Sequence, residues 1–393
     1  MSESDVGDVR TSMVAVSERL PGVLHCWVQN FLTWLTGRAT PGQSPLFRST
    51  PTLQVGAAAF WLVFGAIGGY VAVTSQTIAW LLLPVMWLSV VSSARRFQVS
   101  IFHSSVHTVL TGNKRIDRWI GEAVSVVLFI ASYDQYYRDH ILLHHPAETF
   151  GTVLDPDFVF LAKLGFKPGK TKRQLWLQLA RAVVSPRYHL LFFAARVKAN
   201  LFGGLRRSLL VFAFYGSLFA VVILTNQWRA VLLCWVLPIT LLYQASALLQ
   251  FVCEHRWLLQ RQSDQSAKLH VGRLTVGRFL GAPYPTHRGP AAKALWFVKM
   301  IGHGLARIAV LVQGLPDHDW HHRHPRSREW ANSVYERQRD MDANHPGWPE
   351  DYREVWGLLN AIDGVFELLS SMPPELVSVE PATTSLDEFV TAM

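Results

Sequence analysis

Three groups of histidines could act together: His103-Ser-Ser-Val-His107, His140-Ile-Leu-Leu-His144-His145 and His318-Asp-Trp-His321-His322. In each group two histidines stand four residues apart. On a helix that spacing puts both imidazoles on one face, about 5–6 Å apart. The second and third groups add one more adjacent histidine, so half of the 16 histidines lie in these boxes. Imidazole is the commonest protein metal ligand and suits iron, zinc, copper and nickel. Eight such ligands are too many for one ion and reasonable for two. The spacing therefore predicts a histidine-rich dinuclear metal site, with His318, His321 and His322 sharing one broad helix face.

His255, preceded by Glu254, is a ninth candidate ligand, because it follows an apolar stretch closely, as box one does. His303 lies on the basic face of an amphipathic segment and His324 breaks the box spacing. His25, His189, His270, His287 and His345 read as ordinary surface or core histidines. Among the carboxylates, Asp155, Asp157, Asp317, Asp319 and Glu254 could hold the second ring nitrogen of ligating histidines, which orients the ring and raises its basicity. Helix capping explains Asp155 and Asp317 equally well. The Glu-x-x-His repeats of soluble carboxylate di-iron bundles do not organise this chain.

The elements that must position these ligands are membrane helices. No charged residue occurs between Ser49 and Ala94, and only Arg229 between Ser208 and Cys253. A span needs about 20 apolar residues, so each stretch holds two, expected at Leu53–Val73, Ile78–Ser92, Leu209–Leu224 and Val231–Gln250. Pro84 within the second is tolerable in a membrane helix. Four spans in two tight hairpins place both termini and all three boxes on one side. Arg38, Arg48, Arg95, Arg96, Lys114, Arg115, Arg206 and Arg207 fall on that side, and the opposite turns hold only Arg229. By the positive-inside rule the histidine side is cytoplasmic. A helix continuing past the second span, at about 1.5 Å per residue, carries box one to that face.

Three further apolar segments are too short or too charged to span. Ala123–Tyr133 is short. Ala291–Leu315 carries Lys299, His303 and Arg307 four apart, which reads as an amphipathic helix at the membrane surface. A buried soluble helix is the alternative for both. Leu24–Leu35 is a candidate interfacial helix.

The composition agrees: 50% of residues are hydrophobic and 17% charged, with a formal net charge of +9. A basic face against anionic lipid headgroups accounts for that charge without a nucleic-acid partner. Cys26, Cys234 and Cys253 form no Cys-x-x-Cys pair, so neither a disulfide framework nor a thiolate site is expected. No cleavable signal peptide is evident, and residues before Pro21 read as a flexible tail. The expected fold is an all-α integral membrane protein: four transmembrane helices in two hairpins under a helical cytoplasmic cap that carries the metal site. Residues 1–50 form an N-terminal tail and interfacial helix, 51–372 the membrane domain with its cap, and 373–393 a C-terminal tail. Within the cap, Gly165–Lys172 reads as an exposed loop, and Gln262–Ala282 as a segment lying over the cytoplasmic face.

With these boxes in this order, two-hairpin topology and the continuation from His144-His145 to Asp155-Pro156-Asp157, the chain resembles the membrane fatty acid desaturase and hydroxylase superfamily over roughly Leu53 to Trp330. The resemblance implies two iron ions, held by His103, His107, His140, His144, His145, His318, His321 and His322, with His255 matching an extra histidine that several members place after the last span. It implies molecular oxygen as co-substrate, two external electrons, and attack on an unactivated C–H bond of a membrane lipid or acyl substrate. An asparagine that some acyl desaturases carry four residues before the extra histidine is replaced here by Phe251. Trp80, Trp87, Trp235, Phe251 and Trp257 are candidate walls of an acyl channel, although lipid-interface anchoring explains each better.

No electron-donor module is evident. His345-Pro346-Gly347 shares three residues with a cytochrome haem motif but lacks its continuation. A separate donor, such as a ferredoxin or a cytochrome, is expected to dock on the basic face. The expected reaction is desaturation of an acyl lipid or acyl thioester. Oxygen insertion by a hydroxylase or carotenoid-type ketolase is the alternative, since Asp155-Pro156-Asp157-Phe158 and His321-His322-Arg323-His324-Pro325 partly resemble the ketolases. A membrane electron carrier or metal transporter would place ligands within its spans, and the four expected spans contain no histidine. The sequence leaves the oligomeric state open.

Overall fold

The computed structural model describes residues 9–75 and 77–377. Helices dominate, in the order α1 (Gly22–Thr36), α2 (Pro51–Thr74), α3 (Ile78–Val106), α4 (Lys114–Val127), α5 (Tyr133–Tyr137), α6 (Pro156–Lys163), α7 (Lys172–Val184), α8 (Pro186–Leu201), α9 (Leu205–Thr225) and α10 (Trp228–Val252). They continue with α11 (Ala267–Leu274), α12 (Pro290–Ala309), α13 (His318–Arg323), α14 (Ser333–Asp342) and α15 (Leu358–Ser371). One departure from all-α is a parallel pair of three-residue strands, β1 (Gly277–Phe279) and β2 (Glu354–Trp356).

Four helices are long and apolar enough to cross a membrane: α2, α3, α9 and α10. Each contains the span expected from the charge-free stretches, with longer ends. Thr50 caps α2 by accepting the Leu53 amide, and Pro51 follows where its missing N–H costs nothing. Pro84 is harmless for the same reason: a tight turn at Ile78–Leu82 precedes it, and the regular helix starts at Leu83. α2 and α3 approach closely. A Cβ on Gly65 would stand 2.9 Å from the Met86 carbonyl oxygen and 2.8 Å from a Val90 methyl. α10 joins them, with the Trp87 indole donating to the Leu233 carbonyl at 2.7 Å. Phe60, Ile67, Phe212 and Leu224 remain exposed, as lipid-facing side chains must. The protein is an integral membrane protein.

α3 runs unbroken past the expected end of its span. It passes through π-helical turns at Phe97–Phe102 and delivers His103 at its tip. The rest of the chain packs around this tip and the end of α10. Phe158, Phe166, Leu179, Leu248, Trp257 and Phe366 form one buried core. Phe102, Val106, Ile130, Tyr133, Tyr243 and Ala247 form another, directly beneath the boxes.

Three expectations need correction, and a fourth, for Gln262–Ala282, gains detail. Residues from Val9 are packed rather than tail-like: Val9 and Met13 are buried, and Arg10 donates to Gln29 Oε1 at 2.8 Å and to Thr33 Oγ1 at 3.1 Å. An arginine that satisfied fixes the turn against α1. The loop Gly165–Lys172 is anchored by Phe166, which is fully buried. Gln262–Ala282 contains α11 and β1, and its His270 is buried. On α12 the expected basic face is not wholly at the surface: Arg307 is buried, donating to the carbonyls of Trp34 and Gln313 at 2.7 Å each. The expected C-terminal tail begins with a short turn at Pro374–Val377, and the remainder lies outside the described residues, as do residues 1–8.

Candidate metal centre

All nine candidate histidines converge, and they sort into two neighbouring groups. Ring nitrogens of His103, His107, His140, His145 and His321 all lie within 4.8 Å of one another. Those of His144, His255 and His322 form a second set, and His318 joins it through His255 and Glu254.

Helix geometry explains the sorting. Box two sits in π-helical turns, Arg138–His144, and the His145 amide bonds to the His140 carbonyl at 3.0 Å, five residues back. In such turns residues five apart share a face. His140 and His145 therefore enter the first group together, with Nε2 atoms 3.1 Å apart, while His144 turns to the second. Box three also divides. His318 and His322 pair at 3.2 Å in the second group, while His321 points to His145 at 3.2 Å in the first. The single broad face expected for His318, His321 and His322 is thus a ridge with one group on each flank.

The donor set fits metal ions. His140 Nε2 lies 2.8 Å from His103 Nε2 and 3.1 Å from both His107 Nε2 and His145 Nε2. A neutral imidazole carries one proton, so one nitrogen cannot satisfy three others by hydrogen bonding. Metal–nitrogen distances of about 2.0–2.1 Å place neighbouring ligand nitrogens about 3 Å apart, which matches this crowding. His255 is buried with both ring nitrogens lacking a hydrogen-bond partner, an expensive arrangement unless an ion takes one. Burial, followed by repulsion from neighbouring imidazoles, pushes His140, His145, His318, His321 and His322 well below the ordinary histidine range. They are held neutral, the form that binds metal.

His144 differs. Burial opposes its protonation, but Asp155 and Asp157 outweigh burial and raise its pKa to about 9. Its Nδ1 is 3.0 Å from both Asp155 carboxylate oxygens and 3.3 Å from Asp157 Oδ2. Nδ1 therefore keeps its proton, and the ring is doubly protonated at neutral pH until an ion takes the place of the Nε2 proton. Asp155 serves both functions considered for it. It is fully buried, and it also accepts the amides of Gly151 at 2.7 Å and Asp157 at 3.0 Å, capping α6. Asp155→Asn is expected to weaken metal binding at the second group about 10–100-fold. Chelator competition measures this, and unchanged affinity would mean His144 is oriented by something else.

The other carboxylates behave differently from expectation. Asp319 holds no histidine; it is buried against Arg337, with Oδ2 2.9 Å from Nη2. Asp317 provides no side-chain cap to α13. Glu254 Oε1 stands 3.3 Å from His318 Nε2, the same nitrogen that faces His322. It therefore sits on the ligand side of the ring, not behind it. His324 pairs with Asp340 at 2.6 Å and His345 with Asp351 at 2.9 Å, and His303 lies apart from both groups.

Residues 78–288, more than half of the 393-residue chain, match the family model described as fatty acid desaturase. The chain belongs to that family. Family membership makes it an oxidoreductase of the desaturase and hydroxylase type, from a family known to bind iron. The match covers boxes one and two and His255 but ends before box three, which only folding brings to the others. No curated protein matched the chain.

Sequence reading missed the aromatic support. Tyr136 stacks on His140, with centroids 5.1 Å apart and planes 5° apart, and Phe150 touches His144, His255 and His322. Tyr136 lies four residues before His140, a spacing that could have indicated it. Phe150 carries no such mark. Of the five channel-wall candidates, Phe251 lines a cavity beside His140 and Trp257 packs on His255 at 5.2 Å, while Trp80 is exposed and Trp87 is tied to Leu233.

Proposed function

We propose that the chain is an oxygen-dependent di-iron desaturase that introduces a double bond into a fatty acyl chain, as acyl lipid or acyl thioester, at the cytoplasmic membrane face. The observation that carries this reading is the pair of histidine groups, the first of which borders, through His140, a cavity with a mixed aromatic and polar wall. That cavity, of about 50 Å³, is lined by Phe102, Tyr136, His140, Phe160, Phe192 and Phe251 among others.

His103, His107, His140, His145 and His321 would hold one iron. His144, His255, His318 and His322 would hold the other, with Glu254 offering a carboxylate oxygen. Bound iron would supply, from O₂ and two electrons, the oxidising power an unactivated C–H bond requires. Desaturation removes two hydrogens from adjacent carbons and, with two electrons and two protons from outside, converts O₂ to two waters. The protein's own contributions are positional. Asp155 fixes the His144 ring, Tyr136 fixes His140, and the cavity's rings, which enclose far less space than an acyl chain fills, would have to part to admit one beside the first group. Phe192→Ala removes one wall ring and is expected to shift products toward bulkier chains while turnover persists. An unchanged product distribution would place the chain elsewhere.

Electrons would come from a separate acidic carrier. A surface pocket of about 880 Å³ reaches His255 and is lined by Arg38, Arg256, Arg278 and Arg353 together with Asp351 and Glu354, an excess of positive charge that supports docking there. Oxygen insertion by a hydroxylase or ketolase is the second reading. It is favoured by Gln98, Asp139, Asp157 and Arg196, which put polar groups into the same cavity wall. The deciding experiment is mass spectrometry of lipids from a host expressing the protein with a ferredoxin, beside a His144→Ala control. A wild-type-dependent loss of two hydrogens supports desaturation, and a gain of oxygen replaces it with the second reading.

A further inference from the structure

Where α4 meets the start of α9, a pocket of about 460 Å³ is lined by Arg115, Arg118, Trp119, Glu122, Arg206 and Arg207, together with Asp134. Two of the four arginines are neutralised. Arg118 pairs with Asp134 at 2.5 Å and Arg207 with Glu122 at 3.1 Å. Among the described residues Arg115 and Arg206 have no carboxylate partner, and the Arg206 guanidinium lies over the Trp119 ring, 5.6 Å from its centroid.

The backbone adds to this positive surplus. α9 begins after Gly204 with no side-chain cap, so its first amides are left for an outside acceptor. A Cβ on Gly204 would meet nothing within 4 Å, so the space above these amides is open. Apolar groups lie at the same place: Trp119, Phe202 and Leu205 are 66%, 79% and 78% exposed. Leu205 is also the first residue of a candidate membrane span, which puts the pocket at headgroup depth.

We propose that this pocket binds the phosphate of an anionic phospholipid, whose acyl chains run down the exposed face of α9. Two unpaired guanidiniums and open helix amides meet the phosphate, and the exposed apolar rim meets the glycerol and upper chains. Such a lipid ties α9 to α4, the helix that connects box one to box two. α4 in turn packs Gly121 against Ser105 and Tyr133, and the Tyr133 hydroxyl donates to the Ser105 carbonyl at 3.1 Å. The lipid therefore braces the segment between two ligand boxes. This inference is independent of which reaction the metal centre performs.

The full-length protein, reconstituted in nanodiscs of phosphatidylcholine doped with phosphatidylglycerol, is released into detergent and its retained lipids are read by native mass spectrometry. The wild type is expected to retain phosphatidylglycerol selectively. Arg115→Gln with Arg206→Gln is expected to lower that retention roughly 30-fold, and Arg229→Gln at the opposite turn to leave it unchanged. Both pocket residues are exposed, so folding should survive, which circular dichroism checks. Equal retention of the two lipids by wild type, or undiminished retention in the double variant, overturns the proposal. So does thermal stabilisation by inorganic phosphate in pure phosphatidylcholine that equals the effect of phosphatidylglycerol, since the site would then serve a soluble anion.

Discussion

If the chain holds the two irons proposed for it, His144→Ala should abolish activity and remove about one of them, and His140→Ala should abolish activity and remove the other. The expectation follows from the split within box two. His140 shares its nitrogen neighbourhood with His103, His107 and His145, whereas His144 belongs with His255 and His322. Removing His144 takes from the second group the ring that Asp155 and Asp157 orient, and removing His140 takes from the first group the nitrogen that faces His103, His107 and His145, while in each case the other group remains whole. Elemental analysis of purified variants reads the stoichiometry, and spectroscopy of the remaining iron tells which group is filled. Both variants should still insert, because neither residue lies within a span. A chain that binds a full iron complement after either substitution would remove the two-group assignment, and retained activity would remove the metal-site model altogether.

The second large effect is expected from Arg337→Met. The Arg337 side chain is 1% exposed, and it holds Asp319 at 2.9 Å and Glu354 at 2.8 Å. Asp319 lies in α13 between the box-three ligands, and Glu354 opens β2, whose partner strand β1 follows α11. Removing the guanidinium strands Asp319 in the interior and leaves Glu354 with Arg38 alone, and breaking such a buried pair costs about 3–5 kcal/mol. Arg339→Met, at a pair whose arginine is 57% exposed, should cost less than about 1 kcal/mol. Thermal unfolding in detergent compares them, and equal shifts would show that the buried network contributes nothing special.

The pH dependence of this network has a definite sign. Burial raises the Glu354 pKa, but Arg337 and Arg38 outweigh it and hold the carboxyl below the usual range. A group with a depressed folded pKa stabilises above its unfolded pKa, and that stability is lost as pH falls through the folded value. Wild type should therefore resist acid further than Arg337→Met, whose acid unfolding should move to higher pH.

Much of this protein was legible in the chain because membrane solvent imposes simple rules. A stretch without charge from Ser49 to Ala94 leaves few structures other than two helices. Two histidines four apart share one helix face, and it is three such pairs in one chain that point to a metal site. The nine ligand candidates were identified from such spacing, from position after a span, and from likeness to the family, and the structure brings all nine together.

What the sequence could not assign was the partition of those nine between two groups. Regular helical spacing puts His140 with His144, but π-helical turns put His140 with His145, and that extra backbone width depends on packing around α5, not on local residue preference. Carboxylate roles were equally hidden. Asp319 adjoins His318 and Glu254 adjoins His255 in sequence, yet one turns to Arg337 and the other to His318, because distant segments supply the partners. The burial of Arg10 and Arg307 likewise depends on carbonyls and side chains that only the folded chain presents. Spacing along one helix is a local property that sequence records. Which ring, carboxylate or guanidinium meets it from another segment is settled by tertiary packing.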